Sequence, residues 1–201
     1  MITVIMPMFI FALIGAISPG PVNIIAAGSG ANFGFRRTIP HILGAAIAYT
    51  LIVLLAGLGL NQWLTLFPEI GNTLQYAGSA FLLYMSYKIA AAVPLRSEKM
   101  TETKQPPSLI EGALAQGLNP KAWLVSMSGI SLFVTVHAQS MLYLLIFCII
   151  SFTLCLFGVS TWAAAGHSIR SLLSTTRRQI GFNILMGLML SGTVVSILFI
   201  Q

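Results

Sequence analysis

A chain of 201 residues that is 57% hydrophobic and only 7% charged has the composition of a polytopic membrane protein, because soluble domains carry about 25% charged residues. There are four acidic residues, Glu69, Glu98, Glu102 and Glu111, and the net charge is +6. The basic residues fall in short clusters between apolar stretches, which reads as membrane topology and argues against a nucleic-acid-binding face.

A membrane span needs about 20 apolar residues. Six segments qualify, at 3–27, 38–60, 70–92, 109–134, 140–165 and 180–200. The first begins at Ile2, has no positive n-region and no A-x-A cleavage site, and is expected to be a membrane helix rather than a removed signal peptide. Between the third and fourth lies the polar linker 93–108, "VPLRSEKMTETKQPPS". It divides a single membrane domain (1–201) into two three-helix halves, 1–92 and 109–201. Arg36 and Arg37 follow the first span; Lys88, Arg96, Lys99 and Lys104 surround the linker; Arg170, Arg177 and Arg178 precede the last span. The alternate connections carry no Lys or Arg, so the positive-inside rule places both termini outside. Trp63 and Trp162 sit where interfacial anchors would. Cys148 and Cys155, seven residues apart on one helix, are separated by about 10 Å of rise, too far for a disulfide, and read as packed thiols.

The first span contains "AISPGPVNII" (16–25) and the fourth contains "AQGLNPKAWL" (115–124). Ser18-Pro19 and Asn119-Pro120 are 101 residues apart, near half the chain. Three spans per half make the second half inverted relative to the first. Paired Gly/Pro interruptions in corresponding spans of inverted halves point to a transporter binding site. Pro favours the first turn of a helix and Ser or Asn caps its start, so helices 1 and 4 are expected to break and restart at these motifs. Each restarted half presents its N-terminal N–H groups and positive dipole end to the break, where a carboxylate can bind. Ser18, Pro19, Gly20, Pro21, Asn23, Gln116, Asn119, Pro120 and Lys121 are therefore the candidate substrate-binding residues, with Lys121 adding a full charge at a depth where ionisable groups are functional by default.

The remaining polar residues carry less. Prolines in membrane helices are often simple kinks, but two clusters in matching places, one with a lysine, favour a site. Glu111 reads as an interfacial carboxylate near the inner start of the fourth span. His41, His137 and His167 read as interfacial, and Tyr49, Tyr76, Tyr84 and Trp123 as aromatic packing that could also line a cavity. No phosphate loop, dinucleotide fingerprint, metal-ligand cluster or nucleophile–base pair is present in the sequence, so neither an enzyme nor a cofactor is expected.

"SPGPVNII", "AGSAFLLYMSYKI", "GLNPKAWL" and "AAAGHSIRSLL", with the Arg-Arg pair and glycine-rich stretch of the last span, resemble the LysE/RhtB family of amino-acid exporters in order along the whole chain. "VNIIAAGSGANFGFRR" is similar to the pattern of its cysteine/O-acetylserine exporter branch. The resemblance implies a bacterial inner-membrane protein that exports amino acids or close derivatives using the proton motive force. It marks Pro19, Gly20, Pro21, Asn23, Asn119, Pro120 and Lys121. Many members have an acidic residue after a glycine in the second span; here that stretch reads "GAAIAYT". That speaks against a cationic substrate and leaves Lys121 and Glu111 as candidates for coupling.

The sequence thus predicts an all-α membrane protein of six helices in two inverted repeats. It would export small neutral amino acids such as cysteine, O-acetylserine, threonine or homoserine, with the lipid bilayer and the substrate as partners. Association into a homo-oligomer is compatible with so few spans. An uncoupled channel, or a membrane protein that transports nothing, is the alternative.

Overall fold

The computed structural model describes residues 2–60, 68–92, 105–173 and 175–199. Trp63 and the linker residues 93–104, with Arg96, Lys99 and Lys104, lie outside them. All regular structure among the described residues is helical: α1 (Ile2–Ile17), α2 (Pro21–Phe33), α3 (Phe35–Leu55, prolonged by a π-helical turn Ala56–Leu60), α4 (Pro68–Ala90), α5 (Leu109–Gly117), α6 (Pro120–Phe133), α7 (Ser140–Ile169) and α8 (Thr176–Phe199). Each apolar segment of the sequence is a helix or a pair of short helices. The first and fourth are the two pairs, interrupted at 18–20 and at 118–119.

By length and composition, Phe35–Gly59 and Ser140–Ile169 can each cross a membrane, and α1 with α2, bent by 55°, makes a third candidate. Among the described residues no other helix meets that test. α5 and α6 are short because the chain breaks between them. α4 carries Asn72, Thr73 and Gln75 near its start; α8 starts four residues earlier than expected and holds no charged residue over 182–199.

α3 and α7 lie side by side at the centre. α5 packs on α3, α2 and α1 pack on α7, and α4 and α8 pair with each other. The outer side of α3 exposes Ile39, Leu43, Ile47, Leu51 and Leu55, one apolar residue every four positions. That spacing makes a single stripe along the helix, and its natural solvent is hydrocarbon. The buried faces are rich in small residues, which let backbones approach without a hydrophobic driving force between helices. A Cβ on Gly30 would collide with the carbonyl of Ala163, and one on Gly166 with the carbonyl of Ala27, so α2 and α7 cross on glycine from both sides. Gly44 and Gly112 do the same for α3 and α5, against the carbonyls of Leu109 and His41.

Buried amides and hydroxyls add specific links. Asn32 and Asn183 exchange hydrogen bonds of 2.7 and 3.0 Å between α2 and α8, and Asn183 Nδ2 also donates to the Ala92 carbonyl at 3.1 Å. Ser86 of α4 donates to the Gly187 carbonyl of α8 at 2.7 Å. Interhelical bonds of this kind contribute modestly, about 0.6 kcal/mol each on average, and fix which helices pair.

The glycine crossings give a direct test. Gly30→Ala or Gly166→Ala should each destabilise the detergent-solubilised protein by about 1–3 kcal/mol, the usual cost of overpacking. Gly181→Ala, where a Cβ would meet nothing within 4 Å, should leave the thermal unfolding midpoint unchanged or raise it.

Candidate functional site

The break in the first span begins where α1 ends at Ile17 and α2 restarts at Pro21. Pro21 is the first residue of α2 and lacks an N–H, and Gly20, as N-cap, has no side chain to satisfy the N–H groups that follow. The carbonyls at the end of α1 are free to accept, and in an apolar bundle each needs a donor. Side chains from three other helices supply them. Asn23 of α2 donates through Nδ2 to the carbonyls of Ala16 (2.9 Å) and Ser18 (3.0 Å). Trp162 of α7 donates through Nε1 to the Ile17 carbonyl at 2.9 Å. Lys121 of α6 donates through Nζ to the Ser18 carbonyl at 2.8 Å, the Ser18 hydroxyl at 2.7 Å and the Pro19 carbonyl at 3.3 Å.

The second break is built in parallel. Asn119 caps α6, its Oδ1 accepting from the Lys121 N–H at 3.1 Å, and Pro120 is the first residue of the helix. Asn119 Nδ2 donates to Gln116 Oε1 at 3.2 Å, and Gln116 Nε2 lies 3.8 Å from Cys155 Sγ as its donor. Trp123 Nε1 donates to the freed Gly117 carbonyl at 2.8 Å. A tryptophan thus closes each broken helix end.

Lys121 joins the two breaks directly, from the first turn of α6 to the end of α1. Gly20 makes room for it: a Cβ there would lie 3.3 Å from Lys121 Cδ and 3.4 Å from Nζ. A cavity of about 40 Å³ lies between the breaks, lined by Gly20, Asn23, Tyr49, Gln116, Asn119 and Lys121 among others. Of the nine candidate substrate-binding residues, Gly20, Asn23, Gln116, Asn119 and Lys121 face this cavity, and Ser18 and Pro19 reach it through the Lys121 ammonium. Pro21 and Pro120 start the helices whose N-termini flank it.

Glu111 stands apart from this cavity. It accepts from Lys88 of α4 at 2.5 Å and, in a capping box with Ser108, from the Ser108 N–H at 2.7 Å. Both coupling candidates therefore carry structural contacts. Tyr49 is buried against the cavity, whereas Tyr76 and Tyr84 are exposed. His41, expected near an interface, is wholly buried. Cys148 and Cys155 are both free and buried.

The sequence reading missed what Trp162 and Trp123 do. A signal was present: an indole N–H is a donor only, and near a proline break the freed carbonyls are acceptors within its reach.

Residues 13–200 match the family model described as "LysE type translocator". The chain belongs to the LysE-type translocator family. It is similar to the cysteine/O-acetylserine efflux proteins of Escherichia coli O1:K1, at 28% identity over 98% of both chains, and of Escherichia coli K12 and Shigella sonnei, each at 27% over 98% of both chains. No solved structure matches it significantly. This LysE-type protein is accordingly a membrane transporter and not an enzyme.

The indole contacts of the translocator can be checked by stability. Trp162→Phe should leave the Ile17 carbonyl unpaired, and Trp123→Phe the Gly117 carbonyl, each costing about 1–3 kcal/mol. Tyr87→Phe, at a side chain 72% exposed, should change the unfolding midpoint by less than about 0.5 kcal/mol in equivalent terms.

Proposed function

We propose that this translocator exports small neutral amino acids or close derivatives, such as cysteine, O-acetylserine, threonine or homoserine, across the bacterial inner membrane, driven by the proton motive force. The observation that carries the reading is the Lys121 ammonium spanning two broken helices. The names of the similar efflux proteins support it.

The chemistry suits a zwitterion. The carbonyls of Ser18 and Pro19 now hold an ammonium, that of Lys121. The α-ammonium of an amino acid is the same chemical group and can take their place. Lys121, released, then pairs with the substrate carboxylate, which also meets the N-terminal N–H groups of α2 and α6. Exchange of one ammonium for another keeps the freed carbonyls satisfied at each stage. Among the described residues no acidic side chain lines the cavity, so a substrate with a cationic side chain finds no counter-ion among them. That favours neutral side chains.

A cavity of about 40 Å³ takes little more than a water or two, so binding must widen the break. We read the six apolar segments as six spans in two inverted halves, with both termini outside, and the widening as one half rocking against the other. The pairing of α3 with α7 and of α4 with α8, each helix with its counterpart in the other half, supports that reading.

Efflux from cells loaded with mixed dipeptides tests the proposal. Wild-type protein should release a few neutral amino acids faster than an empty vector, and an uncoupler should stop uphill release. Lys121→Ala should lower efflux by about tenfold or more at equal membrane expression, since it removes a charged partner of the substrate. Downhill release that ignores the uncoupler would mean a channel, and normal export by Lys121→Ala would dismiss this site.

A further inference from the structure

Lys121 is held by three acceptors and Glu111 by Lys88 and Ser108. One further basic group lies inside the bundle. The His41 ring on α3 is 0% exposed. Its Nε2 lies 3.3 Å from the carbonyl oxygen of Val22, and its Nδ1 has no hydrogen-bond partner. With Nε2–H donating to Val22, Nδ1 holds a bare lone pair in the interior. A buried polar atom left unpaired needs a reason.

Its position supplies one. Val22 is in the first turn of α2, next to Asn23, and itself lines the site cavity. On the other side, the His41 carbonyl is the atom that a Cβ on Gly112 would strike, so the residue also sits where α3 meets α5. The ring therefore touches the restarted half of one broken span, while its backbone abuts the first half of the other.

We propose that His41 is the proton carrier of this translocator, its Nδ1 taking up one proton while the cavity holds no substrate and releasing it to the inner side before substrate binds. This rests on the proton-driven reading above. An N–H bond forms at Nδ1 on uptake and the same bond breaks on release, so the imidazole returns to neutral each cycle. A zwitterion has no net charge, so one proton in for one amino acid out moves one positive charge inward. Membrane potential then drives the cycle together with the pH gradient.

The other charged and titratable groups around the ring are few. α2 has none. α5 offers Glu111, which is paired with Lys88 of α4. α6 offers Lys121 and α7 offers Cys155, both on the cavity. On α3 itself, Arg36 and Arg37 are exposed and Tyr49 lies about two turns further along.

The test uses purified protein in proteoliposomes with labelled O-acetylserine and cysteine and an internal pH indicator. Wild type should move protons against substrate. His41→Gln keeps an amide N–H for the Val22 carbonyl but cannot titrate. It should lose uphill transport by about tenfold or more and flatten the pH profile, while substrate counterflow, which needs no net proton movement, falls by about threefold or less. Wild type that moves substrate without protons, or moves neither substrate, would overturn the proton-driven reading and this inference with it. A proton-coupled wild type with an equally coupled His41→Gln would overturn this inference alone. Wild-type protein labelled with ¹⁵N-histidine gives an answer that no variant's folding can obscure. The His41 ring, assigned with His137→Gln and His167→Gln, should lose a proton when O-acetylserine or cysteine is added, and a ring indifferent to both pH and substrate would refute the assignment.

Discussion

Every backbone carbonyl freed by a broken helix inside a membrane needs a donor, and no water is at hand to be one. In this protein that requirement organises the centre of the molecule. The end of α1 presents the carbonyls of Ala16, Ile17, Ser18 and Pro19, and Asn23, Trp162 and Lys121 reach them from α2, α7 and α6. A break in one helix thereby becomes a junction among four. Removing any donor leaves an acceptor unpaired in a medium where that is costly, so the junction holds the helices in register while remaining polar enough to exchange partners.

The rest of the architecture keeps that junction close-packed yet capable of change. Glycine on both sides of the α2–α7 and α3–α5 crossings lets backbones touch with no side chains interlocked between them. Contacts of that kind are broad and smooth, suited to small sliding movements. The Asn32–Asn183 pair and the Ser86 bond instead pin α2 to α8 and α4 to α8 through directional hydrogen bonds. Glycine contacts thus flank the breaks, while directional bonds tie α8 to α2 and to α4.

Membership of the LysE-type family fits this construction, and among the described residues the cavity lining holds no acidic group. On the proposed reading, a site whose fixed charge is a lysine, and whose acceptors are main-chain carbonyls, would recognise the ammonium and carboxylate common to all amino acids rather than a particular side chain. Selectivity would then fall to size and to the uncharged surface around Tyr49, Val22 and Cys155, which line the cavity.

The sequence by itself determined the helical character, the extent of the apolar segments and the two interruptions. Hydrophobic run length and the backbone chemistry of Pro, Gly and N-capping Asn are local properties, and "SPGP" and "NPK" break a helix wherever they stand. It also marked Lys121 as a deep charge, because an ammonium stands out in any apolar run. Tertiary structure decided which groups answer one another. That Lys121 reaches Ser18, 103 positions away in sequence, and that Trp162 closes α1, depend on the packing of α6 and α7, which no local pattern encodes. His41 and Glu111 show the same limit in their neighbours rather than in their depth: both read as interfacial from their places near the ends of apolar runs, and no local pattern names what packs on them. The crossing of α3 over α5 buried His41 completely, while Glu111 was taken into a capping box and an ion pair with α4. Burial is a property of the neighbours a residue acquires, and those are fixed only when the helices meet.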